Sequence, residues 1–283
     1  MNPSRAGMAG WGLVAPAALW TLAFFLAPFA LMAALSFATL EGREVVWGLD
    51  TANYAKILAE GYLRTAFVVS LEIALSVTVI STLLAYPLAW IIAFRVAPRW
   101  QRLALALAIL PFWTSYVVRS YAWLLLFARE GVVNDALLWL GLVAEPVTMA
   151  STRFATVTGF VHFFTMLMTL TIYASLARLP ANYARAAADL GAPPWRAFVH
   201  VVLPLTLPGV MTGAFLTFVL CIGDYVTPQI LGGNNELTVP QVIMVQLGRR
   251  ADFPLASALS IALMAVVTLA YLASARWLRL DRL

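Results

Sequence analysis

The chain has 283 residues, of which 63% are hydrophobic and only 11% charged. Soluble domains carry about 25% charged residues, so this composition excludes a soluble globular protein and points to one immersed in lipid. The net charge of +5 does not indicate nucleic-acid binding, because the basic residues form short flanks to apolar runs instead of a patch or groove; anionic membrane lipid attracts the same flanks.

Crossing a hydrocarbon layer roughly 30 Å thick takes about 17 to 25 apolar residues. Six runs reach that length: 11–36, 66–94, 103–127, 154–177, 205–227 and 255–275. The first follows Arg5 and is roughly twice the 7 to 15 residues of a secretory signal core, so it is read as the first span. Segment 37–65 is more polar, and Asp50 or Thr51 can cap a short helix running toward Glu60. In the second run Pro87 removes one helical hydrogen bond and marks either a static kink or a bend that moves during gating. Pro111 poses the same choice in the third run. Within the spans lie Glu72, Arg119 and Asp224. An arginine inside hydrocarbon is costly unless it faces protein, water or an interface, so Arg119 is expected to pair with Glu72 or with Asp224, and sequence does not choose between them.

Arginine flanks set the orientation, since cytoplasmic loops are enriched in Lys and Arg. With the N-terminus inside, the inner segments carry Arg5, Arg95, Arg99, Arg102, Arg178, Arg185, Arg196, Arg276, Arg279 and Arg282 against Asp189 and Asp281 alone, while most acids fall outside. Both termini are therefore expected in the cytoplasm. Cys221 is the only cysteine and is read as packing; His162 and His200 have no neighbours at metal-ligand spacing. No Walker A sequence is present, and no nucleophile, acid or metal ligands converge, so neither an enzyme site nor a cofactor is expected in this chain. An ion-coupled secondary transporter would carry paired broken spans, which the sequence does not display.

The inner loop between the fourth and fifth runs carries the most specific pattern. Leu179-Pro180 closes the fourth run, and Asn182 can cap a short helix through Ala184, Arg185, Ala186, Ala187, Ala188 and Asp189. Gly191 then permits a sharp turn, and Pro193-Pro194 starts the next element. Trp195, Phe198, Val199 and Val202 recur at helical spacing. They form an apolar face suited either to a groove on a soluble partner or to the bilayer surface. Gly191, followed after nine residues by Val201-Val202-Leu203-Pro204, resembles the EAA loop of type I ABC importer permeases, whose pattern is Glu-Ala-Ala, three residues, Gly, nine residues, then Ile, any residue, Leu-Pro; Arg185 stands where the family has glutamate.

Two further strings resemble the spermidine and putrescine branch of that family: Leu110-Pro111-Phe112-Trp113-Thr114-Ser115-Tyr116-Val117-Val118-Arg119-Ser120-Tyr121-Ala122-Trp123 in the third run, and Gly223-Asp224-Tyr225-Val226-Thr227-Pro228-Gln229-Ile230-Leu231-Gly232-Gly233 at the outer end of the fifth. The resemblance implies an all-α integral membrane protein with six transmembrane helices, residues 1–283 forming one permease domain in the bacterial inner membrane. It implies a cytoplasmic coupling loop at about 179–203, with Arg185, Ala186, Ala187, Asp189, Gly191, Trp195, Phe198, Leu203 and Pro204 at the ATPase contact. It also implies a second homologous permease, two ATPase subunits that hold ATP and Mg, and an extracytoplasmic solute-binding protein. For a polycationic solute, Glu72, Trp113, Tyr116, Arg119, Asp224 and Tyr225 are the candidate path residues: carboxylates attract ammonium groups and aromatic rings offer cation–π faces. Glu72 has the alternative of a structural pair with Arg119, and the aromatics that of interface packing. Another small solute, such as an amino-acid-like or opine-like compound, fits the same strings.

Overall fold

A computed structural model describes residues 14–180, 182–233 and 237–278, with the backbone alone at 182, 184, 185, 188 and 276–278. Arg5, Glu236, Arg279, Asp281 and Arg282, which entered the charge balance, lie outside the described residues, as does the side chain of Arg276. The chain divides into two compact units, one running to Arg64 and taking up Val242–Ala265, the other holding Thr65–Gln241 and the chain from Val266 onward.

In the first unit, helix α1 (Val14–Leu35) is apolar on every side, and none of its apolar window is buried by the chain itself. Lipid or another subunit is its natural cover. Beyond it a two-stranded hairpin, β1 (Thr39–Glu41) with β2 (Glu44–Val46), turns at Gly42. Helix α2 (Ala52–Ala59) follows, and the Asp50 carboxylate accepts the Ala52 N–H at 2.9 Å at its start, as the sequence predicts. Asn53 ties this helix back, donating to the carbonyls of Ser36 at 3.2 Å and Ala38 at 2.7 Å, while the Tyr54 hydroxyl donates to Ser36 Oγ at 2.8 Å. The two asparagine bonds satisfy the carbonyls of Ser36 and Ala38, just past the end of α1.

The second unit is built from helices α3 (Gly61–Arg95, entering at Thr65), α4 (Pro98–Trp113), α5 (Tyr116–Leu126), α6 (Val132–Trp139), α7 (Arg153–Leu176), α8 (Asn182–Asp189) and α9 (Pro194–Ile222). A π-turn follows at Pro228–Gly232, then α10 (Val239–Val245) and α11 (Phe253–Leu278), both of which run across the unit boundaries. One core joins Ala85, Tyr86 and Ala89 of α3 to Met168, Ile172 and Leu176 of α7 and to Val202 and Val210 of α9. Inside it the Tyr86 hydroxyl is 2.9 Å from Thr206 Oγ1, so each hydroxyl has a partner in a setting where an unpaired one is costly. Helices α7 and α9 approach closely because α9 presents Gly209 and Gly213. A Cβ at Gly213 would stand 2.9 Å from Met168 Sδ, and one at Gly209 2.8 Å from Ser175 Cβ. Small residues at such crossings let membrane helices gain the packing that drives their association.

Two runs differ from their expected form. The third is not one straight helix but two, α4 and α5, bent by 86°. Pro111 lacks an N–H, and its carbonyl accepts from Thr114 twice, from the N–H at 3.3 Å and from Oγ1 at 2.7 Å, which ends the helix in a tight turn at Leu110–Trp113. The fifth begins eleven residues earlier than its apolar run, at Pro194 instead of 205, because the Trp195–Val202 segment continues without a break into α9 through a π-turn at Phe198–Val202. Pro204 lies two residues past the end of that turn, where a helix must accommodate a missing N–H. Among the described residues five helices are thus long and apolar enough to cross a membrane, and six if the bent pair counts as one span.

Candidate coupling loop and solute-path cluster

The loop after α7 is shaped by the end of α8. Gly191 has φ +78, and the Ala192 N–H reaches back to the Ala187 carbonyl at 3.0 Å. This is the six-to-one bond of a Schellman turn. No atom outside its chain neighbours would lie within 4 Å of a Cβ on Gly191, so glycine is required by the backbone angle and not by space. The turn lifts Leu190 to 89% exposure, with Ala186, Asp189 and Trp195 also exposed beside it. The Arg196 guanidinium lies over the Trp195 ring at 5.2 Å. Ala187, Ala192, Trp195 and His200 line a hollow between α8 and the base of α9.

Not every residue expected at this surface is on it. Phe198 turns inward, its ring 5.4 Å from Tyr86 and 5.5 Å from Trp90, and Leu203 packs against the same core. They therefore root the loop in α3 and α7. Pro204 is exposed on α9, and the side chain of Arg185 lies outside the described residues. Leu190 was not among the expected contacts; its signal in the sequence is its place directly before a glycine that must take positive φ.

The candidate path residues separate into two places. Glu72 does not meet Arg119. Its carboxylate accepts from Arg153 Nη1 at 2.6 Å, with the two side chains 53% and 39% exposed. Arg119 is 7% exposed, and among the described residues its guanidinium meets rings and a carbonyl, not a carboxylate. Its guanidinium carbon lies 4.5 Å from the Phe163 ring centre and 5.1 Å from that of Tyr116, and Nη1 donates to the Pro111 carbonyl at 3.2 Å. That carbonyl sits at the C-terminal end of α4, where the helix dipole favours a cation. The 86° bend and ring faces thus do for Arg119 what an acid was expected to do.

Asp224 is likewise engaged. One carboxylate oxygen accepts from the Tyr116 hydroxyl at 2.6 Å and from the Thr227 N–H at 3.0 Å, and the other from the Val226 N–H at 3.1 Å. Thr227 Oγ1 donates to the Tyr116 oxygen at 2.6 Å. The break in the third span and the end of the fifth therefore meet at Tyr116, Asp224 and Thr227, with Arg119 over the same tyrosine ring. Tyr225 is half-buried next to Asp224, and Trp113 stands 82% exposed at the bend. His162 accepts the Trp123 indole N–H at 3.1 Å, and Cys221 is buried in packing.

Residues 76–280 match the family model described as the inner membrane component of binding-protein-dependent transport systems. The chain belongs to that family. It is 32% identical over 253 residues to the spermidine/putrescine transport system permease protein PotB of Escherichia coli strain K12, covering 88% of this chain and 90% of PotB. It is 35% identical over 237 residues to the inner membrane ABC transporter permease protein YdcU of the same organism, covering 79% of this chain and 71% of YdcU. In fold it is similar to a chain of a bacterial alginate ABC transporter bound to a periplasmic protein carrying alginate pentasaccharide, with TM-score 0.73, 14% identity, and coverage of 97% of this chain and 96% of that one. As a member of the family the protein is a multi-pass inner-membrane permease subunit of an ABC importer. It is a transport component and not an enzyme, working with a second permease, an ATPase dimer and a solute-binding protein.

Proposed function

We propose that the chain forms half of the membrane pathway of a polyamine importer, moving spermidine or putrescine, with both termini in the cytoplasm and the loop at about 179–203 docked on the ATPase. The observation that carries the solute is the 32% identity, over 88% of the chain, to permeases named for spermidine and putrescine. The aromatic cluster is compatible with it, since Tyr116 and Tyr225 offer ring faces to an ammonium group. In this reading Asp224 acts through Tyr116 and the backbone it caps, holding the two helix breaks together. Arg119 fixes the bend, and Glu72 lies outside the path. The single permease domain needs no site of its own for ATP, because Ala186, Ala187, Asp189, Leu190 and Trp195 hand the motion of the ATPase to α7 and α9.

A different small solute is the second reading, favoured by the 28% identity over 225 residues to the molybdenum transport system permease protein ModB of Mycobacterium bovis. The two are separated by assembling the importer in proteoliposomes with its solute-binding protein and measuring ATP turnover with spermidine, putrescine, an amino acid, an opine and molybdate in turn. Stimulation by spermidine or putrescine alone is the expected result; stimulation by another member of the panel without either polyamine would overturn the assignment.

A further inference from the structure

Helix α7 carries a single glycine, Gly159, well inside its length and buried. Glycine there weakens a helix relative to alanine, and the segment that follows α9 supplies the reason for it. A Cβ on Gly159 would overlap Leu231 Cδ1 and stand 3.6 Å from Thr227 Cγ2. Leu231 has no exposed surface; it is enclosed with Phe127 and Ala155, and Trp123, Met149 and Ile230 pack around them, so its side chain has no room to swing aside. The backbone of the π-turn lies just as close to α7. A Cβ on Gly232 would come within 2.9 Å of Thr156 Oγ1, and one on Gly233, at φ +68, within 3.1 Å of Ser151 Cβ. A methyl group added at 159 is therefore relieved only by lifting the whole turn away from α7.

That turn carries one side of the Tyr116 network. Thr227 enters it directly, giving its N–H to Asp224 and its hydroxyl to Tyr116, and the Gln229 N–H donates to the Tyr225 carbonyl at 3.1 Å. The other side of the network also rests on α7. Phe163, four residues on from Gly159 and so on the same helix face, meets the Tyr116 ring edge-on at 5.4 Å. Two contacts one helical turn apart thus set the distance that the bonds of Tyr116 to Thr227 and Asp224 must bridge. We propose that Gly159 is a positioning residue for the solute path: by admitting Leu231 it seats the 228–232 turn against α7 and so aligns Tyr116, Asp224 and Thr227. Its consequence for transport rests on Tyr116 and Tyr225 lining the path, as proposed above.

The test uses the whole importer, unfolded in mixed detergent micelles, with the Tyr116→Phe and Asp224→Asn cycle repeated in several backgrounds. With Gly159 in place the two substitutions should interact by about fivefold or more in the unfolding equilibrium constant. In Gly159→Ala the interaction should fall below about twofold, the scatter of unconnected sites. Gly159→Ala with Leu231→Val moves one methyl group across the contact at constant volume and should restore the interaction to about threefold or more. Gly213→Ala, which crowds Met168 at the crossing of α7 and α9, should lower stability and leave the interaction intact. An interaction that survives Gly159→Ala, or that Gly213→Ala abolishes equally, would overturn the proposal. If Gly159→Ala alone does not assemble, the volume-conserving pair decides: assembly with the interaction restored supports the proposal, and failed assembly or a lost interaction overturns it. The second readout is ATP turnover with the solute-binding protein and spermidine. Gly159→Ala should raise the half-stimulating spermidine concentration by about threefold or more, as a misplaced ring face would, with a smaller change in the maximal rate. An unchanged concentration beside a lost interaction would overturn the transport role of Gly159 together with the path reading of Tyr116. An unmodified importer that spermidine does not stimulate would overturn the solute assignment alone, and the unfolding cycle would still decide the positioning role.

Discussion

Tyr116→Phe removes one hydroxyl and two hydrogen bonds, one donated to Asp224 at 2.6 Å and one accepted from Thr227 at 2.6 Å. Hydrogen bonds to charged groups contribute about 1.5 to 3 kcal/mol in soluble proteins, whereas bonds between membrane helices average about 0.6 and reach about 1.7 kcal/mol. The carboxylate keeps two backbone donors after the change, so it is not stranded, and the lower end applies: about 1 to 2 kcal/mol for the pair of bonds. A double-mutant cycle with Asp224→Asn isolates the shared part, because the asparagine oxygen still accepts from the backbone while the charge is gone. Unfolding in mixed detergent micelles at increasing denaturing-detergent fraction provides the readout. A coupling energy of about 1 kcal/mol or more is expected, above the roughly 0.3 to 0.5 kcal/mol by which unconnected sites depart from additivity. Additivity within that margin would refute the view that Tyr116 and Asp224 lock the two helix breaks together.

Glu72→Gln should leave solute uptake near the wild-type rate, because its bond to Arg153 lies between two half-exposed side chains and such pairs contribute about 0 to 1 kcal/mol; a severe transport loss with normal assembly would return Glu72 to the solute path. Arg119→Leu should lower the thermal midpoint of the purified importer by removing the cation from the end of α4 and from two ring faces. Each of those ring contacts contributes about 0.5 to 2 kcal/mol. Arg119→Lys should restore only part of the midpoint, since an ammonium cannot stack as a planar guanidinium does; full rescue by lysine would refute the ring-stacking account. In a Cys221→Ser background, Asp50→Cys should react with an impermeant maleimide only from outside and Arg99→Cys only from the cytoplasm, and the reverse pattern would invert the proposed orientation.

The sequence made the spans legible because hydrocarbon thickness imposes a length that apolar runs must meet, and the short helix after Asp50 was legible because its cap is local. The third span was not, since Pro111, Thr114 and Ser115 signal a disturbance without its size. Whether proline kinks or breaks a helix depends on its tertiary setting, and here Arg119, eight residues on, donates to the carbonyl of Pro111 itself. The partner of Arg119 was missed for a related reason: opposite charges are visible in sequence, but the Phe163 ring that stacks on it lies on another helix. In the proposed coupling loop Gly191 was readable from its spacing. Phe198 was misplaced because helical periodicity defines an apolar face without saying whether that face meets a partner or the protein's own core.

The central claim is that the loop from Asn182 to Trp195 transmits ATP-driven motion to the spans. Gly191→Val puts a β-branched residue at φ +78, a conformation that costs an ordinary residue about 1 to 2 kcal/mol, and so redirects the tip bearing Leu190. Ala187→Asp places a charge in the hollow beside Trp195. The decisive measurement is solute-stimulated ATP turnover of the reconstituted importer, read together with the amount of ATPase subunit retained. The account predicts that both variants still accept the solute-binding protein but lose the stimulation, through weaker retention, broken coupling or both. Wild-type stimulation with full retention in both variants would contradict it.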